Sequence, residues 1–232
     1  MGLAFDTRAS DSPWIASVWT CRSERVAEMT SVATGTWGLV FWVERGRTHA
    51  SVTGAGTAPV PEEADFVGIE FAVGTSLRSV AAASLLDSGI ALPDVSQRGF
   101  WLDGGRWEIP HPDDAEALAQ RLVRDGVVVH DRLVADAVRG HRPDVSDRTL
   151  ERRFRAATGL TRGAIRQIER VRTAATALAA GVPDAEVVAA LGYYDEPHLA
   201  RALRRYVGRT AGQLRAGEGG AIALDLAQCT TL

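Results

Sequence analysis

A pattern of apolar and basic positions occurs twice in the second half of the chain, with the two copies 49 residues apart. In each copy the apolar side chains recur at i, i+4 and i+7, the spacing of the buried stripe of an amphipathic helix. The stripes are Leu150, Phe154 and Ala157 in the first copy, and Leu199, Leu203 and Tyr206 in the second. The pattern therefore predicts two similar helices, each with one buried face.

The opposite face of each predicted helix carries arginines. Arginine pairs with phosphates and with the edge of guanine, and glutamate accepts from the cytosine amino group. We therefore expect these faces to read DNA, through Arg148, Glu151, Arg152 and Arg155 in the first helix and Glu196, Ala200, Arg201 and Arg204 in the second.

The residues before each helix predict a second, shorter helix and a glycine turn. The segment 184–191 is apolar and stops at Gly192, and Asp195 can cap the helix that follows. In the first copy, a helix over 131–139 precedes Gly140, and Ser146 is the expected cap. The turn of the first copy is three residues longer. Each copy is therefore predicted to be a helix-turn-helix unit.

A wider set of positions resembles the AraC-type family of bacterial transcription regulators. The resemblance covers about residues 128–216 and is carried by 146–154, 158–161, Arg170 with Ala174, 191–193, 198–199, and 208–210 with Arg215. It implies two helix-turn-helix units joined by a long central helix, here residues 162–180. The sequence departs from the usual pattern at three positions, Tyr193, Leu203 and Ala211, where the family commonly has phenylalanine, phenylalanine and proline.

The distribution of charge separates the two halves of the chain. Residues 146–216 contain 13 arginines and seven acidic residues, whereas residues 1–110 contain eight arginines and 13 acidic residues. A basic C-terminal module joined to an acidic N-terminal domain is typical of a DNA-binding protein. Arginine-rich helix faces are also often only solvated, so a helical-repeat adaptor that binds a protein is the alternative, and Glu151 and Glu196 favour it. The repetition of the whole pattern favours DNA.

The N-terminal part is predicted to be rich in β-strands. Short β-branched and aromatic runs are separated by glycine, proline and polar clusters, and they cover 14–21, 25–32, 36–43, 48–53 and 65–73. A helix is expected over 75–83. The predicted fold class is α+β: a β-rich N-terminal domain (1–110), a helical connector (111–128), an all-α double helix-turn-helix domain (129–216) and a C-terminal tail (217–232).

All six tryptophans precede residue 110. Tryptophans line ligand pockets, but they also fill the cores of small β domains, and both interpretations stay open. In the resembled family such a domain commonly senses a small molecule or mediates dimerisation. The ligand-binding candidates are Trp37, Trp42, His49 and Glu70. The expected partners are double-stranded DNA, a small-molecule effector, RNA polymerase and a second copy of the chain.

Several function classes are not expected. The two cysteines, Cys21 and Cys229, form no CxxC motif, the histidines are scattered, and the chain has no GxSxG, P-loop or HExxH motif. We therefore expect no enzyme activity, metal site or cofactor. No apolar run reaches the roughly 20 residues of a membrane span. The expected location is the cytoplasm, in association with the nucleoid.

Overall fold

The computed structural model describes residues 4–22, 33–54 and 64–218. The predicted α+β class is confirmed, because strands dominate the chain up to residue 130 and helices form the rest. The main sheet is antiparallel and has six strands in the order β1-β2-β5-β3-β4-β7. These are Ala4–Ala9 (β1), Ile15–Arg22 (β2), Gly38–Glu44 (β3), Arg47–Thr53 (β4), Asp65–Phe71 (β5) and Gly89–Ala91 (β7).

Two pairs of short strands flank the main sheet. Thr75–Leu77 (β6) pairs with Val128–His130 (β10), and Gly99–Leu102 (β8) pairs with Gly105–Glu108 (β9). The helices are Ala115–Arg124 (α1), Arg132–Val138 (α2), Asp147–Thr158 (α3), Arg162–Ala179 (α4), Asp184–Leu191 (α5), Glu196–Tyr206 (α6) and Ala211–Arg215 (α7). Short 3-10 turns cover Ala82–Leu85 and Pro112–Asp114.

Four of the five predicted strand runs contain a strand, namely β2, β3, β4 and β5. The remaining run, 25–32, lies outside the described residues. The helix predicted over 75–83 is wrong, because Thr75–Leu77 is a strand and a 3-10 turn begins only at Ala82. The partner of that strand is β10, about 50 residues further along the chain, so local sequence could not reveal the pairing.

The core of the N-terminal part lies between one face of the sheet and α1. Leu39 and Phe71 are fully buried on that face, and Leu118 and Leu122 of α1 pack against them in the same apolar cluster. The helix within the segment expected to be a connector, 111–128, thus contributes to the sheet's own core. A buried leucine contributes about 1.5–3 kcal/mol, so this contact fixes α1 firmly.

The sheet also packs directly against the C-terminal helices. Val73, which follows β5, belongs to one apolar cluster with Leu150 and Phe154 of α3 and with Ile165 of α4. At the end of α3, a Cβ atom added to Gly159 would lie 2.9 Å from the Cα of Ala83. This close approach brings the N-terminal part against the first helix-turn-helix unit. In the described part of the chain, no helix combines the length and the apolar character needed to cross a membrane.

Candidate DNA-binding surface

The first predicted reading helix, α3, begins where the sequence indicates. Ser146 is its N-cap, and its side chain accepts a hydrogen bond from the backbone N–H of Thr149 at 3.3 Å. The helix ends at Gly159, whose φ of 75° is the left-handed conformation that glycine adopts without strain. Leu150 and Phe154 are buried, as their spacing predicts.

The opposite face of α3 is open to solvent. Arg148, Arg152 and Arg155 are exposed, and their i, i+4, i+7 spacing places them on one side of the helix. Neither Arg148 nor Arg152 has an ion-pair partner within 4–22, 33–54 or 64–218. Their guanidinium groups are therefore available to phosphate or base edges.

Glu151 differs from the other predicted reading residues because it is half-buried and already has partners. Its Oε1 accepts from Arg155 Nε at 3.4 Å, and its Oε2 accepts from the backbone N–H of Arg162, also at 3.4 Å. Arg162 is the first residue of α4, where backbone N–H groups lack helical acceptors. Glu151 thus supports the junction between α3 and α4.

Arg153 shows that not every arginine of α3 lies on the reading face. Its Nη1 donates to Asp131 Oδ2 at 2.8 Å, and the Oδ1 of Asp131 accepts from the backbone N–H of Leu133 at 3.0 Å. Asp131 is the N-cap of α2, the first helix of the unit. This ion pair ties the two helices of the first unit together.

The second unit repeats this construction with a tighter turn. The preceding helix, α5, ends at Gly192, whose φ is 67°. Asp195 caps α6, and its Oδ1 accepts from the backbone N–H of His198 at 2.7 Å. Leu199 and Leu203 are buried. The predicted reading residues Glu196, Ala200, Arg201 and Arg204 are all exposed.

A cation–π contact holds the second turn against the central helix. The Arg170 guanidinium of α4 lies 4.4 Å from the centroid of the Tyr193 ring, and Arg170 also donates to the carbonyl oxygen of Gly192 at 3.4 Å. The Tyr193 ring meets the His198 ring edge-on at 5.3 Å. The site prediction missed this network, although Arg170, Tyr193 and His198 were among the residues that carry the family resemblance.

His198 is positioned by the turn that precedes α6. Its Nδ1 accepts a hydrogen bond from the backbone N–H of Tyr194 at 3.3 Å. This bond links the turn that follows α5 to the first turn of α6.

The basic residue that follows α6 has a different environment from the reading arginines. Arg209 is half-buried, and burial lowers the pKa of its guanidinium. An arginine guanidinium nevertheless stays charged at neutral pH. Position and burial separate it from the exposed face formed by Arg201 and Arg204.

The four candidate ligand residues do not form one site. Trp37 is buried, stacks on Phe71 with ring centroids 4.0 Å apart, and donates from Nε1 to the Thr75 carbonyl oxygen at 3.0 Å. Glu70 is buried and accepts a hydrogen bond from the Thr36 hydroxyl. Trp42 and His49 lie together at another place, where they line an open cleft.

Glu70 instead lies near the central helix. Burial raises the pKa of Glu169 of α4, the Arg172 guanidinium lowers it, and the charge of Glu70 raises it further. The negative charge of Glu70 thus acts on a carboxyl group of the central helix.

Comparison with known proteins agrees with this geometry. Residues 141–217, which include α3 to α7, match a family model described as a helix-turn-helix domain, of the AraC type. No curated protein and no solved structure matches the chain. Two capped helices with exposed arginines, each behind a glycine turn, are the structure that such a domain uses to bind DNA. Residues 141–217 therefore form a helix-turn-helix domain of the AraC type, and a domain of this type supports a role in DNA-binding transcription regulation.

Proposed function

We propose that the chain recognises a specific duplex sequence by placing α3 and α6 in two successive segments of the major groove. The observation that carries this proposal is that both helices expose arginines at equivalent positions, 49 residues apart. Each helix begins at a side-chain cap and follows a turn that contains a glycine with positive φ. A merely solvated surface would not need the same arrangement twice. The central helix α4 sets the distance between the two reading helices.

Arg152 and Arg201 occupy equivalent positions on the two helices and are the principal candidates for base contact. A guanidinium group can donate two parallel hydrogen bonds to O6 and N7 of guanine. Arg148 and Arg204 lie on the same faces and suit contact with phosphate or with a neighbouring base. Glu196 is exposed at the start of α6, where a carboxylate can accept from the cytosine amino group.

We further propose that a small molecule bound to the N-terminal part changes the affinity for DNA. The sheet packs against α3 and α4 through Val73 and the contact at Gly159, so a change in the sheet acts on both helices. A ligand alters DNA binding only if its affinity differs between the DNA-competent and incompetent states. The direct packing supplies a physical path for that difference.

Selection of bound sequences from random duplex DNA by the full chain tests the first proposal. We expect enrichment of a site with two conserved clusters about one helical turn apart, which is about 10 base pairs. Affinity should fall steeply as salt is raised, with a slope of about −0.9 per phosphate contacted. Absence of any retarded DNA at low salt would contradict the proposal and favour the adaptor that binds a protein.

A further inference from the structure

An open cleft lies at the edge of the main sheet, beside β4. Its walls come from the β3–β4 hairpin and from the segment that follows β7, and its volume is about 510 Å³. Small-molecule sites usually measure about 300–1,000 Å³. We call this space the edge cleft; its polar and aromatic lining consists of Trp42, Arg47, Thr48, His49, Asp94, Ser96 and Gln97.

A row of stacked rings crosses the sheet and ends at the edge cleft. Phe66, Trp42 and His49 are direct neighbours on β5, β3 and β4. The Trp42 ring lies 6.2 Å from the Phe66 ring at 26° and 5.1 Å from the His49 ring at 13°, which are stacked arrangements. The Nε1 of Trp42 is buried and has no hydrogen-bond partner in the part of the chain that the structure describes, so stacking holds this ring.

The row ends at His49 because the next strand is too short to continue it. Strand β7 pairs only with 51–53 of β4, and Leu92 adds one more bond by donating to the carbonyl oxygen of Ala50 at 2.9 Å. Backbone groups alternate in direction along a strand, so those of Thr48 point to the same side as those of Ala50. Within the described ranges no strand pairs with Thr48 on that side, which leaves a donor and an acceptor at the cleft.

The charged groups of the cleft are not used by the fold. Arg47 and Asp94 are both exposed, and neither makes an ion pair within 4–22, 33–54 or 64–218. Arg47 follows a tight turn in which both Arg45 and Gly46 have positive φ, and this geometry fixes the start of β4. Arg47 and His49 are two residues apart on β4, so their side chains lie on the same face of the sheet.

We propose that the edge cleft binds a planar aromatic acid, whose ring stacks on His49 and whose carboxylate pairs with Arg47. The ring of the ligand extends the row of Phe66, Trp42 and His49 into the space beyond the end of β7. The backbone N–H and C=O of Thr48 form hydrogen bonds with polar substituents on that ring. This inference rests on the proposed effector response and gives that effector a site and a chemical class. Trp37 and Glu70 have no part in it, since both are buried elsewhere.

Calorimetric titration of the full chain with three matched probes tests the proposal. The probes are 2-naphthoate, 2-naphthamide and decahydro-2-naphthoate, which separate the contribution of the charge from that of the flat ring. We expect 2-naphthoate to bind most tightly, about tenfold better than the uncharged amide, as a charge-assisted hydrogen bond provides. Equal binding of all three probes, or no binding of 2-naphthoate, would overturn the proposal.

Variants of the full chain locate the bound probe. Arg47→Gln should weaken 2-naphthoate about tenfold and leave 2-naphthamide unchanged, whereas His49→Ala should weaken both aromatic probes. Arg106→Gln, an exposed arginine on the β8–β9 hairpin, is the matched control and should change neither. Arg47 is exposed, so Arg47→Gln should leave the fold intact. It therefore tests the site even if His49→Ala destabilises the protein.

Unchanged binding of 2-naphthoate by Arg47→Gln would contradict the assignment of the site. Retardation of selected duplex DNA by the unliganded chain is measured in parallel. A chain that retards DNA and does not bind 2-naphthoate disproves the cleft proposal alone. A chain that binds 2-naphthoate and does not retard DNA disproves the proposed DNA recognition alone.

Discussion

The backbone N–H of Ala33 donates a hydrogen bond to the carbonyl oxygen of Tyr206 at 2.8 Å. Ala33 precedes β3 in the N-terminal part, whereas Tyr206 is the last residue of α6, the second reading helix. The carbonyl oxygen of Ala33 also accepts from Arg172 of the central helix at 3.4 Å. One residue of the N-terminal part therefore contacts both the central helix and the second reading helix.

Arg172→Met should destabilise the protein, because it removes a buried donor at this junction. Arg172 is 5 % exposed, and its charge also lowers the pKa of Glu169 against the effect of burial. Removal of a buried donor leaves its acceptor unpaired, which costs about 1–3 kcal/mol and more where a charge is involved, so roughly 2–4 kcal/mol is expected here. Urea unfolding measures the change.

Arg166→Met, on the exposed side of the same helix, is the control and should lower the free energy of unfolding by less than about 0.5 kcal/mol. Equal losses in both variants would refute the structural role of Arg172.

Arg152→Ala and Arg201→Ala should each weaken binding to the selected duplex by about 1–3 kcal/mol. Each substitution should also relax the preference at one cluster of base pairs, and the two clusters should differ. Competition with single-base variants of the site measures this. Arg106→Ala, an exposed arginine of β9 outside both units, is the control and should leave binding unchanged. If Arg152→Ala and Arg201→Ala lowered the affinity equally for every DNA sequence, both residues would contact phosphates and not bases.

Gly159→Ala should destabilise the protein more than Gly192→Ala. Both glycines end helices with positive φ, so alanine carries a backbone penalty of roughly 1–2 kcal/mol at either position. At Gly159 the new Cβ would also lie 2.9 Å from Ala83 Cα, whereas nothing lies within 4 Å at Gly192. We expect an additional cost of about 1–3 kcal/mol at Gly159, measured by chemical denaturation. Equal costs would contradict the close contact between the 3-10 turn Ala82–Leu85 and the end of α3.

Glu116→Gln should lower stability at neutral pH and have no effect near pH 2. Two hydrogen bonds from Arg8, at 2.6 and 2.8 Å, hold the pKa of the Glu116 carboxyl at about 2, below its ordinary 4.5. Because the folded pKa is depressed, the stabilisation is complete above about pH 4.5 and is lost as the pH falls toward 2. Both side chains are partly exposed, so we expect about 1 kcal/mol at pH 7.

Unfolding midpoints between pH 2 and 7 measure this difference. Glu108→Gln, an exposed carboxylate of β9, is the control and should give a difference that does not change in this way. A Glu116→Gln effect that grows as the pH falls would contradict the assigned ion pair between β1 and α1.

The DNA-binding half could be predicted closely because its determinants are local. The caps Ser146 and Asp195, the glycine stops Gly159 and Gly192, and the i, i+4, i+7 apolar stripes each act within a few residues. The exposed arginines follow from the same periodicity, since the face opposite a buried stripe meets solvent. Glu151 is the exception. Its bond to the backbone of Arg162 depends on how α3 and α4 meet, which no local pattern specifies.

The sequence by itself also determined four strands of the N-terminal part, β2 to β5, since β-branched alternation is local. Which strands pair was decided by the tertiary structure. Thr75–Leu77 becomes a strand because Val128–His130 lies beside it, and β7 ends early enough to leave the ring of His49 at an open edge. Packing likewise buried Trp37 and Glu70 and left Trp42 with His49 at the cleft. Contacts between residues far apart in the chain depend on how many side chains pack together in the core. A short stretch of sequence does not determine that packing.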